Sequence, residues 1–484
     1  MRLKHLFVKK IAHSSYILAG NNICAVIDPQ RDVDIYIKEA RSFGVDIKYI
    51  FQTHLHADFI SGHMDLAKKT GAKIIAPKSA NCAFEHIPVA EGDTIDIENM
   101  LIKVLETPGH TPEHVSYVVI DRLRGDDPIG VFVGDTLFVG DVGRPDLFPD
   151  IAEDLAGKLY HSLHDKLLKL PDFCEVYPAH GAGSLCGRAM GAKALTTIGY
   201  ERKNNPTLQI NDKTTFIKSL TENMPLAPDH FSRCSEINRQ GPARIAELPV
   251  LAELNTTQFK QKIKDPGIQV IDSRSYLAFG SQHIPGSWHL DLSGNFPVFA
   301  GWVLPTDKDF LLVADDYDKA LESTIWARRV GVDRIVGYLD GGMVAWAVAG
   351  LITNYVRQIS AENLHDMVVG SSNFVLVDVR APAEYEDNHI EGAINIPVAD
   401  LRSHHSELDK QKTTILICSS GNRSSLGTSM LKQHGFENVF NVPGGMTGYS
   451  AAGYAKQCRV CENPHGSRYF TEISQIKKHW DLSE

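Results

Sequence analysis

Thr53-His54-Leu55-His56-Ala57-Asp58 follows directly on the apolar run Ile47–Gln52, IKYIFQ. Two imidazoles at i and i+2, with a carboxylate two residues further on, cannot share one face of a helix. On a turn at the end of a strand they can converge on one point. The neighbouring sequence repeats this layout. The runs NICAVIDP (22–29), AKIIAPK (72–78), MLIKVLETPGH (100–110), HVSYVVI (114–120), IGVFVGDTLF (129–138) and CEVYPAH (174–180) are rich in β-branched residues and read as strands. Several end in His or Asp, which brings in His110, Asp135 and His180. The pattern predicts an α/β sandwich with its site at the strand ends.

Imidazole and carboxylate together suit zinc or iron, and affinity alone does not separate the two. A single histidine such as His86 or His114 reads as an ordinary satisfied side chain. The ordered set His54, His56, Asp58, His110, Asp135 and His180 reads differently, because HxHxD…H…D…H resembles the metallo-β-lactamase superfamily. That resemblance implies an αββα sandwich over residues 1–235. The hydrolases of that superfamily carry a further His after the Asp, where this chain has Phe59, a side chain with no lone pair to donate. A two-metal hydrolytic centre would lack one ligand.

The flanking words HLHADFISGH, GDTLFVGDVGRPDL and PAHGAGSLCG resemble the persulfide dioxygenase branch. The resemblance implies one Fe(II) per chain, held by His54, His110 and Asp135, with positions left open for O2 chemistry. His56, Asp58 and His180 would then stand behind the ligands and orient them or a bound water. Direct ligation of zinc by these three is the alternative. Arg144, in GRPDL, has two readings: it meets an anionic substrate, or it pairs with a nearby structural acid. Cys186 receives no catalytic role, since cysteine is often simply buried.

The chain has 484 residues, which exceeds what one hydrophobic core organises and predicts about three domains. Net charge is −10 with both signs interspersed, which argues against a nucleic-acid partner. No apolar run approaches the ~18 residues of a membrane span, and no signal peptide is read at the N-terminus. Eight scattered cysteines fit free thiols in a reducing cytoplasm.

An internal repeat decides the rest of the architecture. VIDSRSYLAFGSQHIPGSWHLDL (270–292) recurs as LVDVRAPAEYEDNHIEGAINIPV (376–398). Asp272, Arg274, His283 and Gly286 match Asp378, Arg380, His389 and Gly392. YLDGGMVAWAVAG (338–350) then matches NVPGGMTGYSAAG (441–453). A linker at 236–250 leads into two α/β domains at 251–355 and 356–456, with a tail at 457–484.

In the second copy the strand TTILI runs into Cys418-Ser-Ser-Gly-Asn-Arg423-Ser424 and then a helical stretch. Backbone N–H groups and a helix N-terminus stabilise a thiolate at such a turn, and Arg423 adds positive charge or shapes the loop. The repeat resembles the rhodanese family, which implies a sulfur carried on Cys418. The four residues between Cys418 and Arg423 match the sulfurtransferase loop, one shorter than the related phosphatase signature. The first copy has Ala314, Asp315 and Asp316 at that place, so it reads as rhodanese-like but inactive: a spacer, packing surface or docking platform. Cys458 and Cys461, with His465, read as ordinary tail residues.

The combined resemblance implies a persulfide dioxygenase–rhodanese fusion. It would oxidise a small-molecule persulfide with O2 to sulfite and give thiosulfate through Cys418, as a homo-oligomer without a membrane or nucleic-acid partner. Two rivals remain at this point. One is a zinc thioester hydrolase of glyoxalase II type fused to a sulfurtransferase. The other is a non-catalytic sulfur carrier or sensor.

Overall fold

The structure, a computed structural model, describes residues 1–455 apart from 189, 223, 225, 226, 295 and 371. Cys458, Cys461 and the tail lie outside the described residues. Two compact units divide the chain: Met1–Leu248 with Arg328–Gly331, and a second from Pro249 to Ala327 and from Val332 onward.

All seven runs read as strands are strands, and they belong to two six-stranded sheets. The first sheet places Arg2–Val8, His13–Ala19, Ile23–Ile27, Asp46–Phe51, Lys73–Pro77 and Ile87–Val89 side by side in chain order. Its first three strands are antiparallel and the rest parallel. The second sheet runs from Thr94–Ile97 to Thr196–Thr197, also in chain order. It is antiparallel except where Pro128–Gly134 lies parallel to Glu175–Pro178.

The sequence explains the layers. Alternate residues of Met100–Glu106 are buried, and Ile102 and Val104 join Tyr16, Ile27, Phe51, Tyr117 and Phe132 in a core fed by both sheets. The opposite face of the first sheet buries Ile17, Val26 and Ile50 against Tyr36, Ala40 and Leu66 of the helices Asp34–Phe43 and His63–Thr70. The opposite face of the second buries Val131 and Val176 against Leu159, Phe216 and Leu220 of its own helices. Helix, sheet, sheet, helix is the αββα order, and such apolar burial drives it at roughly 25 cal/mol per Å².

One boundary differs from the sequence reading. The helix His230–Gln240 runs into the stretch read as a linker at 236–250. Asn238 explains why: its side chain accepts from the Ser61 N–H at 2.9 Å and donates to the carbonyls of His56 and Phe59, each at 2.8 Å. This helix therefore packs on the histidine-bearing turn and satisfies backbone groups that burial would otherwise strand.

The second unit holds two five-stranded sheets with one topology. Numbering strands along each repeat, both sheets read first–fifth–fourth–second–third, and every pairing is parallel. The matched motifs are structural. Arg274 donates to Asp272 and to the Gln282 carbonyl, and Arg380 makes the same bonds to Asp378 and the Asn388 carbonyl. His283 stacks on Phe279 and His389 on Tyr385, each at 3.9 Å between centroids. Among the described residues no helix is long and apolar enough to cross a membrane.

Candidate metal centre and thiol loop

The turn after Asp46–Phe51 is fixed from below by Asp28, a non-glycine residue at φ 50°. Its carboxylate accepts from the Thr53 N–H at 2.8 Å and from the Thr53 hydroxyl at 2.9 Å, and lies 3.2 Å from His56 Nε2. With its proton given to Asp28, Thr53 Oγ1 accepts from His54 Nδ1 at 2.9 Å. That assigns the proton to Nδ1 and leaves a lone pair on Nε2. His110 reaches the same state by another route, because its Nδ1 donates to the Arg144 carbonyl at 2.9 Å.

Both Nε2 atoms are buried and have no hydrogen-bond partner. They point at one carboxylate oxygen, Asp135 Oδ2, from 3.7 Å for His54 and 3.4 Å for His110. One atom from each of His54, His110 and Asp135 lies within 4.8 Å of the others. Two unprotonated, unpartnered imidazole nitrogens facing a carboxylate are costly unless a cation joins them, and the donor set fits a divalent iron or zinc ion. Burial, then His56, holds the His54 imidazole well below its usual range, and burial lowers His110 from its ordinary value. Both stay in the neutral, ligating form.

His180 orients Asp135. Its Nδ1 donates to both carboxylate oxygens at 2.8 and 2.9 Å, while its Nε2 faces Asp58 Oδ2 at 2.9 Å. Burial opposes charge on His180, but Asp135 and Asp58 outweigh it and raise this imidazole well above its ordinary value. Burial would raise Asp135 too; His180, His54 and His110 instead hold it well below the carboxylate range. The Asp135 N–H donates to His114 Nε2 at 3.0 Å. His114 is thus a satisfied buried side chain, as read from sequence, that also fixes the aspartate's backbone. Gly134 sits at φ 49°, and a Cβ there would lie 2.4 Å from His114 Nε2, so the strand end must be glycine.

Of the two readings of Arg144, the structure shows the ion pair. Its guanidinium forks onto Asp146 at 2.8 and 2.5 Å and donates to the Leu185 carbonyl. Phe59 is fully buried, its ring 4.0 Å from His13 and 4.4 Å from His56. Sequence reasoning missed Asp28, Thr53 and His13. Thr53→Val removes the acceptor that sets the His54 tautomer, and we expect metal affinity to fall about 10–100-fold in chelator competition.

In the second unit, Cys418 ends the strand Thr414–Ile417 and precedes the helix Asn422–Gln433. The Gly421 N–H lies 3.1 Å and the Ser424 hydroxyl 3.3 Å from its sulfur, both as donors. Gly445, at φ 50°, lets the glycine turn close on the loop: a Cβ there would lie 2.0 Å from the Cys418 carbonyl oxygen. Arg423 forks onto Glu384 at 2.6 and 2.8 Å and donates to Ser419 Oγ at 2.6 Å. It shapes the loop, the second of the two roles the sequence offered. Glu384 was missed, yet the repeat carried the signal: by the offsets of the matched motifs, Glu384 and Arg423 answer to Ala278 and Lys319 in the first copy. Glu384→Ala strands a buried guanidinium, which costs about 3–5 kcal/mol. The expected result is a lower guanidinium-chloride midpoint for loss of sulfur transfer.

The first repeat packs against this loop. Its His289 N–H donates to Ser429 Oγ at 3.1 Å, and Trp302 offers its carbonyl to Arg402 at 2.8 Å. A small cavity between the repeats is lined by His289, Asp291 and Phe299 on one side and Ser420, Asn422 and Arg423 on the other. Of the three roles read from sequence, packing surface is the one seen.

An αββα sandwich with a histidine–aspartate cluster at its strand ends, joined to two parallel five-stranded repeats with one thiol loop, defines a metallo-β-lactamase-fold protein with tandem rhodanese-like domains. The family profiles agree: the metallo-beta-lactamase superfamily matches residues 9–180, and the rhodanese-like domain matches 255–349 and 360–452. Persulfide dioxygenase ETHE1, mitochondrial, of Bos taurus is 31% identical over 233 residues, 46% of this chain and 82% of that protein. Hydroxyacylglutathione hydrolase of Methylobacillus flagellatus is 33% identical over 231 residues, 46% of this chain and 83% of that protein. The crystal structure of a metallo-beta-lactamase from Staphylococcus aureus subsp. aureus COL is 32% identical, covers 70% of this chain and 99% of its own, and has a TM-score of 0.64. The chain belongs to the metallo-β-lactamase superfamily: its N-terminal domain is similar to persulfide dioxygenases and to hydroxyacylglutathione hydrolases, and two rhodanese-like domains follow it.

Proposed function

We propose that the chain oxidises a low-molecular-weight persulfide to sulfite and converts sulfite to thiosulfate. The observation that carries this reading is the donor set at the strand ends: two Nε2 lone pairs and one carboxylate, with Phe59 where a two-metal hydrolase needs another imidazole. Similarity to persulfide dioxygenases supports it.

Fe(II), held by His54, His110 and Asp135, would supply O2 activation through the coordination positions that three protein ligands leave open. The chain's own groups do the rest. Thr53 and the Arg144 carbonyl keep both imidazoles in the ligating tautomer. His180 fixes the Asp135 carboxylate and carries the compensating charge. Phe59 and its neighbours keep the wall beside His56 dry. Persulfide, O2 and water are consumed; thiol and sulfite leave.

At the second site Cys418 attacks the terminal sulfur of another persulfide. The S–S bond breaks, the small thiol departs with the proton, and Cys418 keeps the sulfur as a persulfide anion. Donors at Gly421 and Ser424 stand ready for negative charge on sulfur. Sulfite then attacks that outer sulfur, releasing thiosulfate and the Cys418 thiolate. Joining the two sites on one chain raises the effective concentration of sulfite.

The hydrolase relatives favour a second reading, a thioester hydrolase. Oxygen uptake with glutathione persulfide, set against hydrolysis of S-lactoylglutathione, separates them. We expect uptake without hydrolysis. Hydrolysis without uptake would restore the hydrolase, and neither activity would leave a carrier.

A further inference from the structure

The first repeat has no thiol at the matching place, yet it meets the Cys418 loop with a tyrosine. By the offset of the matched motifs Tyr276 answers to Pro382, so only the first copy carries a hydroxyl at this position. Tyr276 opens the helix Tyr276–Ser281 and is pinned there. Ser275 Oγ accepts from the Ala278 N–H at 3.3 Å, and Asp291 Oδ2 accepts from the Tyr276 N–H at 3.1 Å. The ring reaches the loop of the second copy. A Cβ added to Gly421 would lie 3.4 Å from Tyr276 Cζ, the carbon that bears the hydroxyl, and the Gly421 N–H donates to Cys418 Sγ at 3.1 Å. The Tyr276 hydroxyl oxygen accepts from the Gly444 N–H, which uses a lone pair and leaves the hydroxyl hydrogen to be given elsewhere. Burial raises the phenol above its ordinary value against the pull of Gly444, so that hydrogen stays in place. The side chain is only half-buried, and its polar end sits at the loop.

We propose that Tyr276 binds the oxyanion of sulfite as it attacks the Cys418 persulfide, which makes the thiol-less repeat a specificity-determining part of the sulfur-transfer site. This rests on the sulfur-transfer reading above. The loop's own donors are already engaged: Gly421 and Ser424 face the cysteine sulfur, and Arg423 is committed to Glu384 and Ser419. Sulfite brings charged oxygens up to a sulfur that is itself anionic, and a fixed donor beside that meeting point is worth most there. In the step, the lone pair on the sulfite sulfur forms a bond to the outer sulfur of the persulfide. The bond between that sulfur and Cys418 breaks, and its electron pair stays on Cys418 as thiolate. Tyr276 donates a hydrogen bond and keeps its proton; no electrons enter or leave. Cyanide attacks through carbon and carries no oxygen, so the hydroxyl favours sulfite over cyanide as acceptor.

Tyr276→Phe removes one oxygen atom and keeps the ring. The full-length parent and variant are loaded with sulfur from glutathione persulfide, desalted, and mixed in single turnovers with sulfite or with cyanide. Thiosulfate and thiocyanate are then followed over time. A hydrogen bond to a charged group sets the scale: the ratio of the sulfite rate constant to the cyanide rate constant should fall about 10–100-fold in the variant. An unchanged ratio overturns the inference, whether both rates hold, which leaves the hydroxyl idle, or both fall together, which makes Tyr276 a structural support of the loop. A parent chain that passes sulfur to neither acceptor would instead overturn the sulfur-transfer reading, and this inference with it.

Discussion

Asp135→Asn is expected to remove bound iron and oxygen uptake together while leaving sulfur transfer intact. The substitution keeps shape and loses charge. Two neutral imidazoles cannot offset a dication alone, and the His180 imidazolium loses the carboxylate that its Nδ1 grips at 2.8 and 2.9 Å. Changes behind a ligand cost about 10–100-fold, so loss of the charged ligand itself should lower oxygen uptake by at least ~10³-fold. Elemental analysis gives iron content, an oxygen electrode gives uptake, and thiosulfate–cyanide turnover gives sulfur transfer. Cys418 belongs to the other compact unit, so its turnover should equal that of the parent chain. A variant that retains iron and uptake would show that Asp135 is not a ligand.

Cys418→Ser is expected to give the opposite split. A hydroxyl cannot hold a terminal sulfur as a persulfide, and the Gly421 and Ser424 donors then have no sulfur anion to meet. Thiosulfate formation should fall by at least ~10³-fold, the scale on which loss of a covalent nucleophile is felt. Oxygen uptake should continue, with sulfite accumulating in place of thiosulfate, as ion chromatography of the products would show. Continued thiosulfate production would place sulfur transfer elsewhere.

Much of both sites was legible because their residues carry chemistry and sit at strand ends. Type and order marked six candidates, the persulfide dioxygenase resemblance singled out His54, His110 and Asp135 among them, and the structure brings these three within reach of one ion. The Cys418 loop could be read from its place between an apolar strand and a helix. What stayed hidden are contacts between distant segments made by ordinary residues. Asp28 looked like the end of a strand, yet at φ 50° it anchors Thr53 and lies against His56. Asn238 lay in a stretch read as linker. The strand Arg2–Val8 was missed because Arg2, Lys4 and His5 blur the apolar alternation, and only Val8 in it is buried. His13, in the next strand, is wholly buried with both ring nitrogens unpartnered, which no periodicity could announce.

The most direct test is stoichiometric. The full-length chain is reconstituted with Fe(II) under anaerobic conditions, desalted and mixed with glutathione persulfide and O2 in the Cys418→Ser background, where sulfite is the end product. The account predicts one tightly held iron per chain and one O2 consumed for each sulfite formed. Two irons per chain bridged by Asp135, or sulfite formed without O2 consumption, would contradict it.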